Sequence, residues 1–124
     1  MNKLPLEIKV DNFEKAGTFL TEISKLTRQL GNLYIFRYLG TGIEQIIFTQ
    51  ILPRVIIICD DVNGALPVFW FEGFTAGNSK QFDGVVINDG ILGLSPTRDG
   101  FRIGTNPIVN SPGGVTYKFM VLGQ

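Results

Sequence analysis

The sequence predicts a mainly β fold, an antiparallel β-sandwich of the jelly-roll kind, and three observations carry that prediction. Short apolar runs alternate with Gly, Pro, Asn and Asp turns from residue 33 onward. The run at residues 115–122 alternates strictly and gives a strand with one apolar face, formed by Val115, Tyr117, Phe119 and Val121. Four consecutive β-branched residues at 55–58 indicate a strand buried on both faces. Such strands need a second sheet to cover them.

Length and composition favour one compact domain that binds neither nucleic acid nor a membrane. With 124 residues, 44% hydrophobic and 18% charged, the chain can bury a core and has apolar surface left for a subunit contact. Lys+Arg and Asp+Glu balance at 11 each, so no basic field attracts nucleic acid or anionic lipid. The apolar segments are shorter than the roughly 18–20 residues that span a bilayer. Charges near Met1 interrupt a signal-peptide core, so we expect synthesis and folding in a cytoplasm.

Residues 1–32 are predicted to form an N-terminal arm, and residues 33–124 the β-sandwich, within one compact unit. Alternation at residues 4–10 places Leu4 and Leu6 on one side of a short strand. Residues 13–30 carry the apolar stripe of an amphipathic helix, which ends before a glycine suited to a left-handed cap; its members are Phe13, Ala16, Phe19, Leu20, Ile23, Leu26 and Leu30. The stripe packs either on the protein's own sheet or on symmetry mates in an oligomer, and the pattern leaves both open.

The rest of the chain is predicted to consist of short strands and turns. Strands are expected at residues 33–39, 43–51, 54–59, 66–72, 85–88, 91–94, 99–105 and 115–122. Asp89 and Gly90 form a dipeptide typical of a hairpin turn between two of these strands. Residues 73–82 are polar and contain glycine, so we expect a surface loop there.

The sequence shows no catalytic or cofactor-binding constellation. Histidine is absent, which excludes Ser-His and Cys-His nucleophiles and His-metal sites. Cys59 lies in an apolar run and is expected to be a buried hydrophobe. Turn formation explains the aspartates beside Gly or Asn, and a Ca²⁺ site at Asp60 and Asp61 or a carboxylate pair for glycoside hydrolysis are the alternatives. We expect no enzyme activity, no cofactor, no metal and no small-molecule substrate.

The aromatic triplet Phe69, Trp70 and Phe71 has two interpretations. It could form a platform on which a sugar stacks, or it could pack in the core or at a subunit interface. Because successive side chains of a strand point to opposite faces, at least one of the three must face the core. Packing is the favoured interpretation, and Trp70 and Phe74 are kept as candidate partner-binding residues.

A pattern of turns and strands runs through most of the chain. It comprises Gly40-Thr41-Gly42, an apolar strand entered at Pro53, Asp99-Gly100-Phe101-Arg102-Ile103-Gly104, Val109-Asn110 and Gly114-Val115-Thr116-Tyr117. In these residues the chain from about Tyr34 onward resembles a domain found in virion proteins of tailed bacteriophages. Pro112 and Gly113 lengthen the last turn, and residues 1–32 have no counterpart in the resemblance. We expect four residues of the pattern to occupy turn positions that need a positive φ: Gly100, Gly104, Asn110 and Gly114.

The resemblance implies a virion structural protein, and a capsid decoration protein fits a chain of this length best. Such a protein binds and stabilises the assembled shell of major capsid protein, and by analogy we expect a homotrimer on the capsid surface. The alternative is a tail or fibre-tip module that binds a host surface glycan or protein. The residues expected to contact a partner are Leu4, Leu6, Phe13, Leu20, Ile23, Trp70 and Phe74.

Overall fold

The computed structural model describes residues 31–60, 66–74 and 78–124, which form nine β-strands and one short helix. In chain order these are β1 (Asn32–Leu39), β2 (Gln45–Phe48), β3 (Pro53–Asp60), β4 (Val68–Phe71), β5 (Asn78–Gln81), β6 (Val86–Asn88), β7 (Ile91–Leu94), β8 (Gly100–Ile103), α1 (Pro107–Asn110) and β9 (Thr116–Gly123). The predicted N-terminal strand and helix lie outside the described residues. Within these ranges no helix has the length and apolar character needed to cross a membrane.

The strands form two antiparallel sheets of unequal size. The large sheet has six strands in the order β1-β9-β3-β4-β5-β6, and the small sheet has three in the order β2-β8-β7. All pairings between the described strands are antiparallel. The small sheet packs on one face of the large sheet, which we call the inner face; the opposite face is the outer face. The predicted mainly β, sandwich-like fold is confirmed.

Strand β9 supplies the centre of the core. It lies between β1 and β3, and Tyr117, Phe119 and Val121 on its inner face are at most 2% exposed. Phe101 of β8 meets Phe119 edge to face across the sandwich, with ring centroids 5.2 Å apart and an interplanar angle of 73°. The alternation in the sequence therefore places these side chains between the sheets, as predicted.

The chain crosses between the two sheets four times, and each crossing contains a residue with a positive φ. These residues are Gly42 (75°), Gln50 (59°), Asp89 (52°) and Gly114 (79°). The hairpin predicted at Asp89 and Gly90 is wrong, because β6 pairs with β5 in the large sheet and β7 pairs with β8 in the small one. A tight left-handed turn suits a corner between sheets as well as a hairpin, and the local sequence does not distinguish them.

Part of the surface loop predicted at residues 73–82 is a strand. β5 pairs with β4 and β6, and its Ser79 is fully buried. The Ser79 hydroxyl donates to the backbone oxygen of Ile87 at 3.3 Å and accepts from the backbone nitrogen of Ile91 at 3.1 Å. The polar composition suggested a loop, but hydrogen bonds of this kind allow a polar side chain of a strand to be buried.

Strand β3 is buried on both faces over only part of its length. Val55 on the outer face and Ile56 on the inner face are fully buried, which agrees with the prediction. Further along the strand, Ile57 and Cys59 on the outer face are half-buried. The expectation that Cys59 is fully buried is therefore wrong, because the outer face opens to solvent toward this end of β3.

Replacing Gly100 by alanine should destabilise the sandwich by about 3 kcal/mol. A Cβ atom at Gly100 in β8 would lie 1.9 Å from the backbone oxygen of Ile47 in β2, so the two strands would have to move apart. Gly113→Ala is the matched control, since its Cβ would meet nothing closer than Ser111 Oγ at 3.7 Å. Urea titration measures both free energies of unfolding, and equal small losses would contradict the prediction.

Candidate interaction surface

The side chain of Asn110, at the end of α1, is fully buried, and both the oxygen and the nitrogen of its amide make hydrogen bonds. Oδ1 accepts from the backbone nitrogen of Thr41 at 2.7 Å and from Gln45 Nε2 at 2.9 Å. Nδ2 donates to the backbone oxygens of Ile43 at 2.8 Å and Gly104 at 2.7 Å. This side chain therefore joins the crossing between β1 and β2 to the end of β8. The expectation that Asn110 is a turn residue with a positive φ is wrong.

Two stacked tyrosines hold α1 against the large sheet. The rings of Tyr38 in β1 and Tyr117 in β9 lie 5.2 Å apart with an interplanar angle of 18°. Tyr38 Oη donates to the backbone oxygen of Val109 at 2.6 Å. Tyr117 Oη donates to the backbone oxygen of Pro107 at 3.0 Å and accepts from the backbone nitrogen of Ser111 at 2.9 Å. Burial raises the pKa of both hydroxyls, so both stay protonated and act as donors.

The glycines of the C-terminal pattern serve two different structural purposes. Gly114 has a φ of 79°, the positive value that the sequence predicted. Gly100 and Gly104 do not have a positive φ, so the expectation for these two is wrong. Glycine is needed there because backbone atoms of a neighbouring segment approach closely. A Cβ atom at Gly104 would lie 2.2 Å from the backbone oxygen of Asp89.

The acidic residues at turns bond to neighbouring groups of the chain. Hydrogen bonds from the hydroxyl and the backbone nitrogen of Thr105, the latter at 3.0 Å, hold the pKa of the Asp89 carboxyl below its ordinary value. Asp83 Oδ1 accepts from the backbone nitrogen of Val85 at 3.1 Å. The described part of the chain contains no group of three or more His, Cys, Asp or Glu residues placed to hold a metal ion. Asp61, half of the alternative Ca²⁺ site, lies outside that part.

Trp70 is a core residue and not an exposed aromatic platform. It is 6% exposed, and a Cβ atom at Gly93 of the small sheet would lie 2.9 Å from its indole ring. Its candidate role in partner binding is therefore corrected, because the ring lies between the sheets. Phe74 is half-buried on the outer face, with ring centroids 6.0 Å from Phe69 and 5.4 Å from Phe71. The other candidate partner residues lie outside the described residues: Leu4, Leu6, Phe13, Leu20 and Ile23.

Large apolar side chains are exposed along residues 33–48. Among the described residues eleven large hydrophobic residues are exposed, and seven of them lie in this stretch: Leu33, Ile35, Phe36, Leu39, Ile43, Ile46 and Phe48. Ile43 is 72% exposed and Phe48 is 62% exposed. Exposed apolar side chains grouped in this way are typical of surfaces that contact a protein, a membrane or a ligand.

These side chains form two sets. The first lies on the outer face of β1, where the register pairs its members with outward residues of β9; it consists of Leu33, Ile35 and Leu39. The second set, which we call the β1–β2 surface, comprises Phe36 on the inner face of β1, Ile43 in the crossing to β2, and Ile46 and Phe48 on the side of β2 that faces away from the core. Neither set is evident in the sequence, because apolar residues on both faces of residues 33–39 indicate a buried strand. The structure places β1 at the edge of the described sheet instead.

Comparison of the chain with protein-family models, with curated proteins and with solved structures finds no match. The β1–β2 surface is the candidate site that the geometry favours over the two described residues singled out in the sequence, since Trp70 packs between the sheets and Phe74 is half-buried.

Replacing Asn110 by alanine should lower the free energy of unfolding by about 3 kcal/mol or more. The substitution removes the partners of the Thr41 nitrogen and of the Ile43 and Gly104 oxygens, and it leaves a cavity where the amide was. Asn88→Ala, at an exposed position in β6, should change stability by less than about 0.5 kcal/mol. Thermal and urea unfolding compare the two variants. Similar decreases in the free energy of unfolding would show that the buried amide stabilises the fold no more than an exposed asparagine does.

Proposed function

We propose that this protein is a structural component of a tailed-bacteriophage virion, a decoration protein that binds the assembled shell of major capsid protein. The observation that carries the proposal is the β1–β2 surface, where Ile43 and Phe48 are largely exposed. A chain with balanced charge and such a surface suits a protein partner better than nucleic acid or a polar small molecule. The resemblance of the turn-and-strand pattern to virion domains supplies the class of partner.

Decoration needs binding energy and no chemical step. A protein that binds the assembled shell and not its free subunits stabilises the shell by linkage, by about 2.7 kcal/mol per site when its concentration is 100 times the Kd. Burial of apolar area contributes roughly 25 cal/mol for each Å² removed from water, and this favours Ile43 and Phe48 as contact residues. A homotrimer on a three-fold position of the capsid surface would bind through three such surfaces at once, with a gain from multivalency.

The alternative is a tail or fibre-tip module that binds a host glycan or protein. The aromatic platform expected for that role would have used Trp70, which is buried between the sheets. Its second candidate surface, residues 73–82, contains strand β5 and the half-buried Phe74. These observations weigh against glycan recognition at either place. The β1–β2 surface would serve contact with a tail protein as well as with the capsid, so copy number separates the two functions.

The number of copies per particle tests the choice between capsid and tail. In gently purified virions, quantitative mass spectrometry should find this chain at a level comparable with the major capsid protein. A decoration protein covers equivalent positions over the whole shell, which requires that many copies. A handful of copies per virion would support the tail module, and complete absence would contradict any role in the virion.

A double substitution of the β1–β2 surface tests the contact itself. Ile43→Asp with Phe48→Asp should weaken binding to assembled shells by more than about a hundredfold, since central apolar contacts can each carry about 2 kcal/mol. Val85→Asp is the matched control, because Val85 is 51% exposed and lies between β5 and β6, outside the β1–β2 surface. Co-sedimentation with shells measures binding, and far-UV circular dichroism checks folding. Equal binding by the folded double variant and the control would remove this surface from the proposal.

A further inference from the structure

Among the described strands, β1 is the longest one at the edge of a sheet. It has eight residues, whereas the other edge strands, β2, β6 and β7, have four, three and four. Short edge strands, prolines and β-bulges all discourage pairing with other molecules. β1 contains no proline, and its register with β9 runs without interruption. Its outer edge therefore lacks these protective features and suits the addition of a further strand.

The backbone groups of alternate β1 residues point away from β9. The nitrogen of Gly40 donates to the oxygen of Val115 at 2.8 Å, and this hydrogen-bonded pair continues the register of β1 with β9. In an antiparallel ladder such pairs alternate with pairs that exchange no hydrogen bonds. Even-numbered residues of β1 therefore bond to β9. The residues that direct both backbone groups to the opposite edge are Leu33, Ile35, Arg37 and Leu39.

Three of these four residues can pair with another strand. The backbone oxygen of Leu39 accepts from Gln45 Nε2 at 3.0 Å, a contact that agrees with its outward direction and occupies it. The described part of the chain supplies no such partner to the outward groups of Leu33, Ile35 and Arg37, because β9 is the only described strand next to β1.

The side chains along this edge are apolar on both faces of the sheet. Ile35 is 64% exposed on the outer face, and Phe36 is 57% exposed on the inner face. An added strand would lie about 4.8 Å from β1, close enough for its side chains to cover those of β1 on each face. Strand pairing would therefore bury apolar surface as well as satisfy backbone groups.

We propose that β1 pairs antiparallel with β1 of a second copy of this chain, about a two-fold axis at Ile35. The contact joins the two large sheets into one continuous sheet. Ile35 lies opposite the second copy's Ile35, and Leu33 lies opposite the second copy's Arg37. The outward groups of the three residues are then satisfied in about six hydrogen bonds. Such an interface is isologous, since both subunits use the same strand.

Contacts already present in the subunit select this axis over its neighbours. An axis at Phe36 would need the backbone oxygen of Leu39, which is already bonded. An axis at Arg37 would set two like charges directly opposite each other, which is destabilising. An axis at Tyr34 would bring Gly31 into the ladder, and its φ of 82° lies outside the extended region.

The side chains of β1 are complementary to one another about this axis. On the outer face, the aliphatic part of Arg37 packs along the second copy's Leu33. The two Arg37 side chains are separated by four positions along the strands, a distance of about 13 Å. On the inner face, Phe36 lies opposite the second copy's Tyr34, an aromatic pair of the kind that stabilises neighbouring strands. This match of β1 with itself identifies a second copy as the occupant of the edge.

The inference goes beyond decoration and does not depend on it. Ile43 and Phe48, the residues substituted in the shell-binding test, lie outside β1. The measurements below contain no capsid protein, so a failure of either proposal leaves the other intact. The contact gives a dimer, whereas the resemblance implies a homotrimer, and the mass of the particle in solution distinguishes the two.

Light scattering on the full chain measures that mass. At high micromolar concentration it should be twice the 13.7 kDa of one chain. Ile35→Lys should return it to the mass of one chain, because like charges would meet at the axis. Val86→Lys is the matched control and should stay dimeric, since Val86 is exposed in β6 at the opposite edge of the sheet. A monomeric unmodified chain or a trimer would overturn the proposal.

Two variants of opposite charge test the position of the axis. Ile35→Glu alone should also be monomeric. An equimolar mixture of Ile35→Lys and Ile35→Glu should regain the mass of a dimer, because opposite charges then lie directly across from each other. If the mixture stays monomeric, Ile35 does not lie at the axis and the proposal fails.

A disulfide bond gives a measurement that introduces no charge. Ile35→Cys, treated with a mild oxidant, should form a covalent dimer linked through position 35. The Cα atoms of a hydrogen-bonded pair lie about 5.5 Å apart, within the span of a disulfide. Val86→Cys is the control, and Cys59 is present in both variants. Peptide mapping identifies the linked positions, and equal yields of covalent dimer from the two variants would overturn the proposal.

Discussion

The buried amide of Asn110 is the interaction on which the two-sheet arrangement depends. A chain that crosses four times between sheets must turn each corner without leaving backbone groups unpaired in the interior. Asn110 pairs with the backbone of Thr41, Ile43 and Gly104, so the approach to β2 and the end of β8 are fixed to one point. The hydroxyls of Tyr38 and Tyr117 fix the helix that carries Asn110 to the large sheet. Both sheets are thereby held in register with each other.

The unequal size of the sheets explains where apolar surface is left over. Three strands cannot cover the inner face of six, and Phe36 on the inner face of β1 is 57% exposed although it pairs with the buried Phe119. On the outer face, the covering side chains of Phe74 and Phe82 contact β4 and do not extend to β1. The described residues of a chain with 44% hydrophobic residues therefore leave apolar side chains exposed in two places, the outer face of β1 and the β1–β2 surface.

The proposed function follows from this surplus of apolar surface rather than from a reactive group. Asn110, Tyr117 and the glycines at 100 and 104 of the C-terminal pattern make contacts that build the domain. Asp83 and Asp89 bond to the chain itself, and Trp70 fills the space opposite Gly93. The exposed apolar side chains of the β1–β2 surface suit association with another protein. In the proposed function, binding to an assembled shell stabilises that shell without any chemical step.

The sequence by itself determined the fold class, most of the strands and the inward face of β9, because a period of two and turn residues are local signals. It also placed a left-handed glycine at position 114. Only the tertiary structure decided that Asp89 lies at a crossing between the sheets, that polar β5 is a strand with a buried serine and that β1 lies at an edge of the described sheet. These outcomes depend on which strands pair and which face is covered, and both are set by residues far apart in the chain. Asn110 shows the same limit, since its partners at Thr41 and Ile43 precede it by more than 60 residues.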